Sequence, residues 1–365
     1  MSDLSPKAAD TPPRPTPGVA TLAAYALADP LPEGAVSLAQ NESCCPASPA
    51  ALAAAAAALA GTALYPDPDW AALREAIAVA HGIAPGDILC GAGSMELIGA
   101  LVRAFAGPGD EVLGTEFGYL FVRSAAAQAG ARFVAAPETR YAIDPEAVLA
   151  AVTPATRIVF LCNPGNPTGT RLPNATLLAL HERLPPTVLL VIDQAYGEFD
   201  EQDHDPLFAR VAEVRNLCVL RSFSKAYGLA GARVGWGLFP PAVAQEVRKL
   251  LNPNNIPVAS QAAAAAAMAD RAHMRATVAV TAARRDAFVA ALEADGLSPV
   301  ASATNFVLVP FADSATAARV DAALRAAGIH VRPMGGYGLG HCLRVTVGAP
   351  DAMARTAEIM ARARG

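Results

Sequence analysis

Six short β-rich runs, at residues 87–90, 111–114, 132–135, 157–162, 188–192 and 217–220, alternate with helical stretches from residue 50 onward. Strands joined only by helical crossovers lie parallel, so the alternation predicts an α/β sheet, mostly parallel, with helices over its faces. The junctions agree. Asp144-Pro145, Pro173-Asn174 and Pro240-Pro241 each precede a helical stretch, where proline's missing N–H costs nothing. Past Asn252-Pro253-Asn254-Asn255 the texture changes to one long Ala-rich helix predicted over 260–294, then runs at 305–310, 329–332 and 343–347 between helices. These predict a second, smaller α/β domain, and a short strand near 38–41 has no other sheet to join. The expected organisation is a Pro-rich flexible arm over 1–18, a large domain over 48–256, and a small domain built from 19–47 and 257–365.

Composition narrows the function classes. A chain of 365 residues, 53% hydrophobic and 17% charged, buries a sizeable core. Its net charge of −5 gives no footprint for nucleic acid. The apolar runs are largely alanine and fall short of the roughly 20 residues that span a bilayer, so no membrane association is expected. Residues 1–18 hold five prolines and no apolar stretch, unlike a signal peptide. Six cysteines without a C-x-x-C pair suit a reducing cytoplasm, and the adjacent Cys44 and Cys45 are not expected to bridge each other. The histidines show no H-E-x-x-H spacing, and no metal is expected.

Three polar clusters interrupt the ends of the β-rich runs, and ligands bind open parallel sheets at the carboxyl ends of strands. The first, Asn163-Pro164-Gly165-Asn166-Pro167-Thr168-Gly169, is a tight loop that presents Asn166 rigidly, although turn chemistry alone accounts for most of it. In Asp193-Gln194-Ala195-Tyr196 a carboxylate ends an apolar run. It either caps a helix or meets a cation, of which a protonated ring nitrogen is one kind. The third cluster runs from Ser222 through Ser224 and Lys225 to Arg233. A solvated lysine is the commoner outcome for such a residue taken alone. In a dry loop its amine becomes a nucleophile toward carbonyls, and the serines and arginine suit a phosphate.

Together, N-P-x-N-P-T-G, D-x-A-Y and S-x-S-K-x-x-x-L-x-G-x-R, in this order, resemble the fold-type I pyridoxal phosphate enzymes, within the class I/II aminotransferases. The chain is most similar to their histidinol-phosphate aminotransferase branch. Leu38-Ala39-Gln40-Asn41-Glu42 matches its L-x-x-N-E, Tyr65-Pro66-Asp67-Pro68 its Y-P-D-P, and Gly91-Ala92-Gly93-Ser94-Met95-Glu96 its phosphate loop. Gly338-Leu339 and Leu343-Arg344-Val345-Thr346-Val347-Gly348 match its C-terminal signature. As a dinucleotide fingerprint the phosphate loop fails, because Glu96 stands where the third glycine belongs.

The resemblance implies a three-layer large domain of the aspartate-aminotransferase type with a smaller α/β domain, pyridoxal 5′-phosphate as cofactor, and a homodimer. It makes Lys225 the lysine that joins the cofactor and later moves a proton between Cα and C4′. Asp193 would pair with the pyridinium nitrogen, and Asn166 and Tyr196 would donate to the phenolate oxygen. Gly93, Ser94 and Met95 would hold the phosphate at a helix start, with Ser222, Ser224 and Arg233 completing the cup. Phe117 takes the ring-stacking position, with Tyr119 in reserve, and Tyr65 would reach the neighbouring subunit's phosphate.

For the substrate, the resemblance implies Asn41, Tyr65, Asn166, Arg332 and Arg344. Arg344 on an apolar strand is costly unless it meets an anion, whereas Arg332 also reads as an exposed strand-end residue. The expected activity is ping-pong transfer of an amino group between an amine and a 2-oxo acid such as 2-oxoglutarate, histidinol phosphate being the leading amine. One departure bears on the amine: the branch's N-E-N-P-Y-G-P is here Asn41-Glu42-Ser43-Cys44-Cys45-Pro46-Ala47, without the aromatic. The alternatives are an aromatic or specialised-pathway aminotransferase, or a lyase or cyclase of the same fold like the threonine-phosphate decarboxylases. A non-enzymatic cofactor-binding regulator is disfavoured by the short region before the fold.

Overall fold

A computed structural model of the chain describes residues 13–23, 31–200 and 205–365. Residues 1–12 of the expected arm lie outside these. Thirteen strands follow in chain order: β1 (Val36–Leu38), β2 (Ile88–Gly91), β3 (Glu111–Thr115), β4 (Arg132–Ala136), β5 (Glu138–Thr139), β6 (Ala142–Ile143), β7 (Thr156–Cys162), β8 (Leu189–Asp193), β9 (Leu217–Ser222), β10 (Gly235–Leu238), β11 (Phe306–Pro310), β12 (Ile329–Met334) and β13 (Leu339–Thr346). Helices α1 (Pro17–Ala20), α2 (Pro49–Ala58), α3 (Ala71–His81), α4 (Ser94–Phe105), α5 (Phe121–Ala129), α6 (Pro145–Ala150) and α7 (Asn174–Arg183) lie before residue 200. After it come α8 (Asp205–Glu213), α9 (Pro241–Arg248), α10 (Val258–Ala269), α11 (Arg271–Ala294), α12 (Ser314–Ala326) and α13 (Pro350–Ala363).

The large sheet runs in the order β2-β10-β9-β8-β7-β3-β4. Every neighbouring pair is parallel except those made by β10, which lies antiparallel to both β2 and β9. All residues of β2, β3, β8 and β9 are buried, as expected of a sheet with helices on both faces. Local chemistry fixes the helix starts. Ser48 accepts from the Ala51 N–H ahead of Pro49, and Asp144 accepts from the Glu146 and Ala147 N–H groups ahead of Pro145.

Strand β10 is a correction to the sequence pattern. Gly235-Trp236-Gly237-Leu238 carries too few large side chains to read as a strand, yet it closes the sheet between β2 and β9. The helix expected over 260–294 is likewise two helices. Asp270 leaves helical geometry between them (φ −88, ψ 62), and its side chain accepts from the His273 N–H to start α11.

The second sheet runs β1-β12-β13-β11, and β1 pairs in parallel with β12, Val36 opposite Ile329. The early strand near residue 38 thus joins the C-terminal part of the chain. Leu38, Phe288, Leu292, Val307, Val345 and Met360 are among the residues of its separate core. Although α10 follows residue 257, its Ala263, Ala264, Ala267 and Met268 pack into the large core, and only the later part of α11 turns to the small one.

Candidate active site

Strands β3, β7, β8 and β9 are consecutive neighbours, and their carboxyl ends lead to Phe117, Asn166, Asp193 and the loop from Ser222 to Lys225. Four segments far apart in sequence therefore meet on one edge, because parallel strands put all their ends on the same side. Asp193 is the last residue of β8, opposite Cys162 of β7, and is 3% exposed. Its Oδ1 accepts from the Ala195 N–H at 3.0 Å. Among the described residues no cation lies within ion-pair distance. Burial therefore pushes its carboxyl up to about 6, against the opposing pull of the Ala195 hydrogen bond.

Lys225 faces this carboxylate's strand end from the β9 loop. Its Nζ donates to the carbonyls of Asn41 at 2.8 Å and Gln40 at 3.3 Å, and stands 5.8 Å from the centre of the Tyr196 ring. Burial, helped by Arg344 and Arg233 and opposed by Glu42, presses its ammonium down to about 8. Tyr196 is buried against the edge of Phe306, and its hydroxyl accepts from Asn41 Nδ2 at 2.8 Å, leaving its own proton to donate elsewhere. Burial holds that phenol well above its ordinary value.

An anion cup forms where β2 turns into α4. Gly93, with φ +78, precedes the first helical residue, Ser94. A Cβ at Gly93 would sit 2.6 Å from Nη2 of Arg233, which puts that guanidinium against the turn that opens α4, and the positive φ favours glycine there. Glu96 secures the turn by accepting from Ala92 N–H and Asn255 Nδ2, both at 2.6 Å. Ser222 and Ser224 are buried beside it, with the Ser224 N–H donating to Ser222 Oγ at 3.1 Å. Met95 and Arg233 are exposed at the rim.

Arg344 of β13 and Arg332 of β12 are direct cross-strand partners, which places both side chains on one face. Arg344 is 7% exposed. Its Nη1 donates to Asn166 Oδ1 at 2.6 Å and Nη2 to the Ala39 carbonyl at 2.9 Å, while its buried Nε has no partner among the described residues. Because arginine only donates, Asn166 must turn its oxygen to Arg344 and keep its amide N–H groups free. Phe117 is half-buried, tilted against Tyr141 at 6.2 Å. Its N–H donates at 3.3 Å to Glu138, a carboxyl that burial pushes up to about 7. Tyr65 does not join the site of its own chain: 88% of it is exposed.

Two contributors have no role assigned from sequence: Asn305, outside every motif, and Thr346, inside the C-terminal signature. Asn305 is buried ahead of β11 and donates to the carbonyls of Asn41 and Glu42, and the Thr346 hydroxyl accepts from the Asn41 N–H. Together they hold Asn41, at φ 55, against Lys225 and Tyr196. The available signal was a polar residue heading an apolar run, at Asn305.

Residues 33–359 match the model of the aminotransferase class I and II family. The chain is 42% identical over 330 residues to the histidinol-phosphate aminotransferase of Roseobacter denitrificans, covering 90% of this chain and 92% of that one. It is also 42% identical over 355 residues to that of Rhodospirillum centenum, covering 95% and 98%. Among solved structures, histidinol-phosphate aminotransferase from Sinorhizobium meliloti in complex with pyridoxal 5′-phosphate superposes with a TM-score of 0.90. Identity there is 32%, over 97% of this chain and 98% of that one. N-succinyldiaminopimelate aminotransferase from Mycobacterium tuberculosis is more distant, with a TM-score of 0.82 and 28% identity over 90% and 94%.

Proposed function

The chain belongs to the class I and II aminotransferases, and on that premise we propose that it exchanges an amino group between histidinol phosphate and a 2-oxo acid, 2-oxoglutarate, with pyridoxal 5′-phosphate as carrier. The observation that carries the choice of amine is the pair Arg344 and Arg332. Two guanidinium groups share one face, and the buried one has only neutral acceptors. Such a pair holds a phosphate or a carboxylate; histidinol phosphate presents the first, and 2-oxoglutarate, a dicarboxylate, presents the second.

The residues fit the cofactor. A buried carboxylate without a cation, Asp193, suits a protonated ring nitrogen, and the glycine-lined turn under Arg233 suits a phosphate. When bound, the cofactor carries the amino group and accepts the electrons released at the substrate's α-carbon. Lys225 holds an amine whose proton is exchangeable near neutral pH, and it gives and takes the proton at that carbon. Asn166 and Tyr196 offer N–H and O–H donors to the ring oxygen, Phe117 covers one ring face, and Ser94, Met95, Ser222, Ser224 and Arg233 bind the phosphate. Asn41 fixes Lys225 through its carbonyl and Tyr196 through its amide. Tyr65, exposed in one copy, completes the cup of a second, which makes the working unit a dimer. The setting is cytoplasmic; no helix among the described residues is long and apolar enough to cross a membrane.

The test is to mix the cofactor-loaded protein with L-histidinol phosphate and, in parallel, with phenylalanine and N-succinyldiaminopimelate, following the cofactor's absorbance and the oxo product. Histidinol phosphate should react far ahead of the others. Faster conversion of another amine would overturn the substrate, and release of carbon dioxide would overturn the reaction type.

A further inference from the structure

Two consecutive thiols stand three residues beyond Asn41. Cys44 and Cys45 are reduced and half-buried, with sulfurs 3.9 Å apart, whereas Cys90, Cys162, Cys218 and Cys342 are buried. Cys44 Sγ lies 3.3 Å from Thr281 Oγ1, whose own proton goes to the Thr277 carbonyl at 2.7 Å, so the thiol donates to Thr281. Two bonds of about 2.3 Å meeting at the roughly 95–100° of a pyramidal trivalent atom span about 3.4–3.5 Å, a few tenths of an ångström inside the present separation, while a linear arrangement needs about 4.6 Å. The pair is therefore set for a bent, doubly sulfur-bound atom. Among the described residues no three His, Cys, Asp or Glu side chains come together to hold a metal, so an ion wanting four ligands is undersupplied. Burial and the neighbouring Cys44 keep the Cys45 thiol above its ordinary value, which disfavours single-thiolate chemistry but not chelation through both sulfurs.

We propose that Cys44 and Cys45 form a dithiol site for a trivalent organic arsenical, and that its occupation shuts the neighbouring active site through Asn41. The step balances without an oxidant. The oxygen of R–As=O leaves as water with the two thiol protons, and two As–S bonds form. The resulting ring draws the sulfurs closer than their present 3.9 Å and so strains a segment in which three carbonyls are engaged: Cys44 with Arg284, Glu42 with Asn305, and Asn41 with Asn305 and Lys225. This second half rests on the role given to Asn41 and Lys225 above.

The probe is phenylarsine oxide, added to the cofactor-loaded full chain and followed by intact mass and by turnover. One arsenical per chain is expected, stable to excess 2-mercaptoethanol and removed by 2,3-dimercaptopropanol. Activity should fall in step with occupancy. Cys44→Ser and Cys45→Ser should each keep activity and weaken retention about a hundredfold, the scale of losing a second attachment. No adduct, or equal retention in both variants, would overturn the dithiol site. A stable adduct with full activity would overturn its link to Asn41. An untreated protein with no transamination would count against the functional reading alone, since mass still decides the site.

Discussion

Arg221 and Arg344 are both buried on strands, and each guanidinium carbon lies 5.3 Å from an aromatic centre, Phe208 and Phe306 respectively. Their partners differ. Arg221 donates to the buried carboxylate of Glu198 at 3.0 Å, and a Cβ at Gly197 would lie 2.1 Å from its Nη1, so the chain leaves room for that pair by placing glycine there. Arg344 meets only an amide oxygen and a carbonyl. A buried cation with its own carboxylate closes its electrostatics within the fold, whereas one with neutral acceptors leaves a charge for a ligand to answer. Lys225, held by two carbonyls, and Asp193, held by one N–H, repeat the second pattern. The catalytic edge is thus the part of the molecule whose charges the chain does not itself settle.

Removing a charge from each region tests that contrast. The largest effect belongs to Lys225→Ala, which takes away the proton-transfer group and should lower turnover on the order of 10³-fold or more while leaving thermal stability unharmed. Retained turnover would remove Lys225 from the chemistry. Arg221→Ala should do the reverse. It leaves Glu198 buried without a counter-charge and should cost about 3–5 kcal/mol of folding stability, much of it regained when both residues become apolar. Urea unfolding of the single and double variants measures this, and an unaltered midpoint in the single variant would dissolve the distinction between the regions.

The same contrast explains what sequence reading reaches. The order of strands in the chain and the polar clusters at their ends follow from local pattern, because alternation and turn chemistry are written in adjacent residues. The pairing of β1 with the C-terminal sheet, Val36 opposite Ile329, is reached only by elimination. Strand β10 is reached by neither, since Gly235 and Gly237 are tolerated there only by long-range packing: a Cβ at Gly237 would meet Phe239 and Leu220 within 2.7 Å. The break at Asp270 lies inside a stretch whose alanines favour helix on both sides. In the site, Lys225, Asp193 and Asn166 stand out through their loops. Asn305 and the Arg221–Glu198 pair do not, because their meaning comes from partners 264 and 23 residues away.

Asp193 gives a pH-dependent version of the test. Its folded value, raised to about 6 from 3.8, means that the cofactor-free protein binds this proton more tightly than the unfolded chain does. The associated stability is complete below about pH 4 and lost as pH rises through 6, leaving a cost of about 3 kcal/mol at pH 8. Asp193→Asn should therefore stabilise the cofactor-free protein at pH 8 by up to about that amount, with the advantage vanishing near pH 4. Turnover should fall sharply in the same variant. A stability difference independent of pH would show that the carboxyl is already answered by a charge of the chain.

Arg344→Lys makes the smallest change and the finest distinction. It keeps the positive charge but loses the planar fork, so an anion held by two parallel N–H bonds loses one of them, about 1.5–3 kcal/mol or roughly ten- to a hundredfold in KM. The maximal rate should change less, because the grip acts on substrate and transition state alike. Stability should hold, since the lost guanidinium leaves behind only Asn166 and a carbonyl and no buried carboxylate. Arg221→Lys in the other region should invert the result, with KM unmoved and stability lowered. If both lysine variants behaved alike, the partners of the two arginines would no longer distinguish an interior charge that serves the fold from one that waits for substrate.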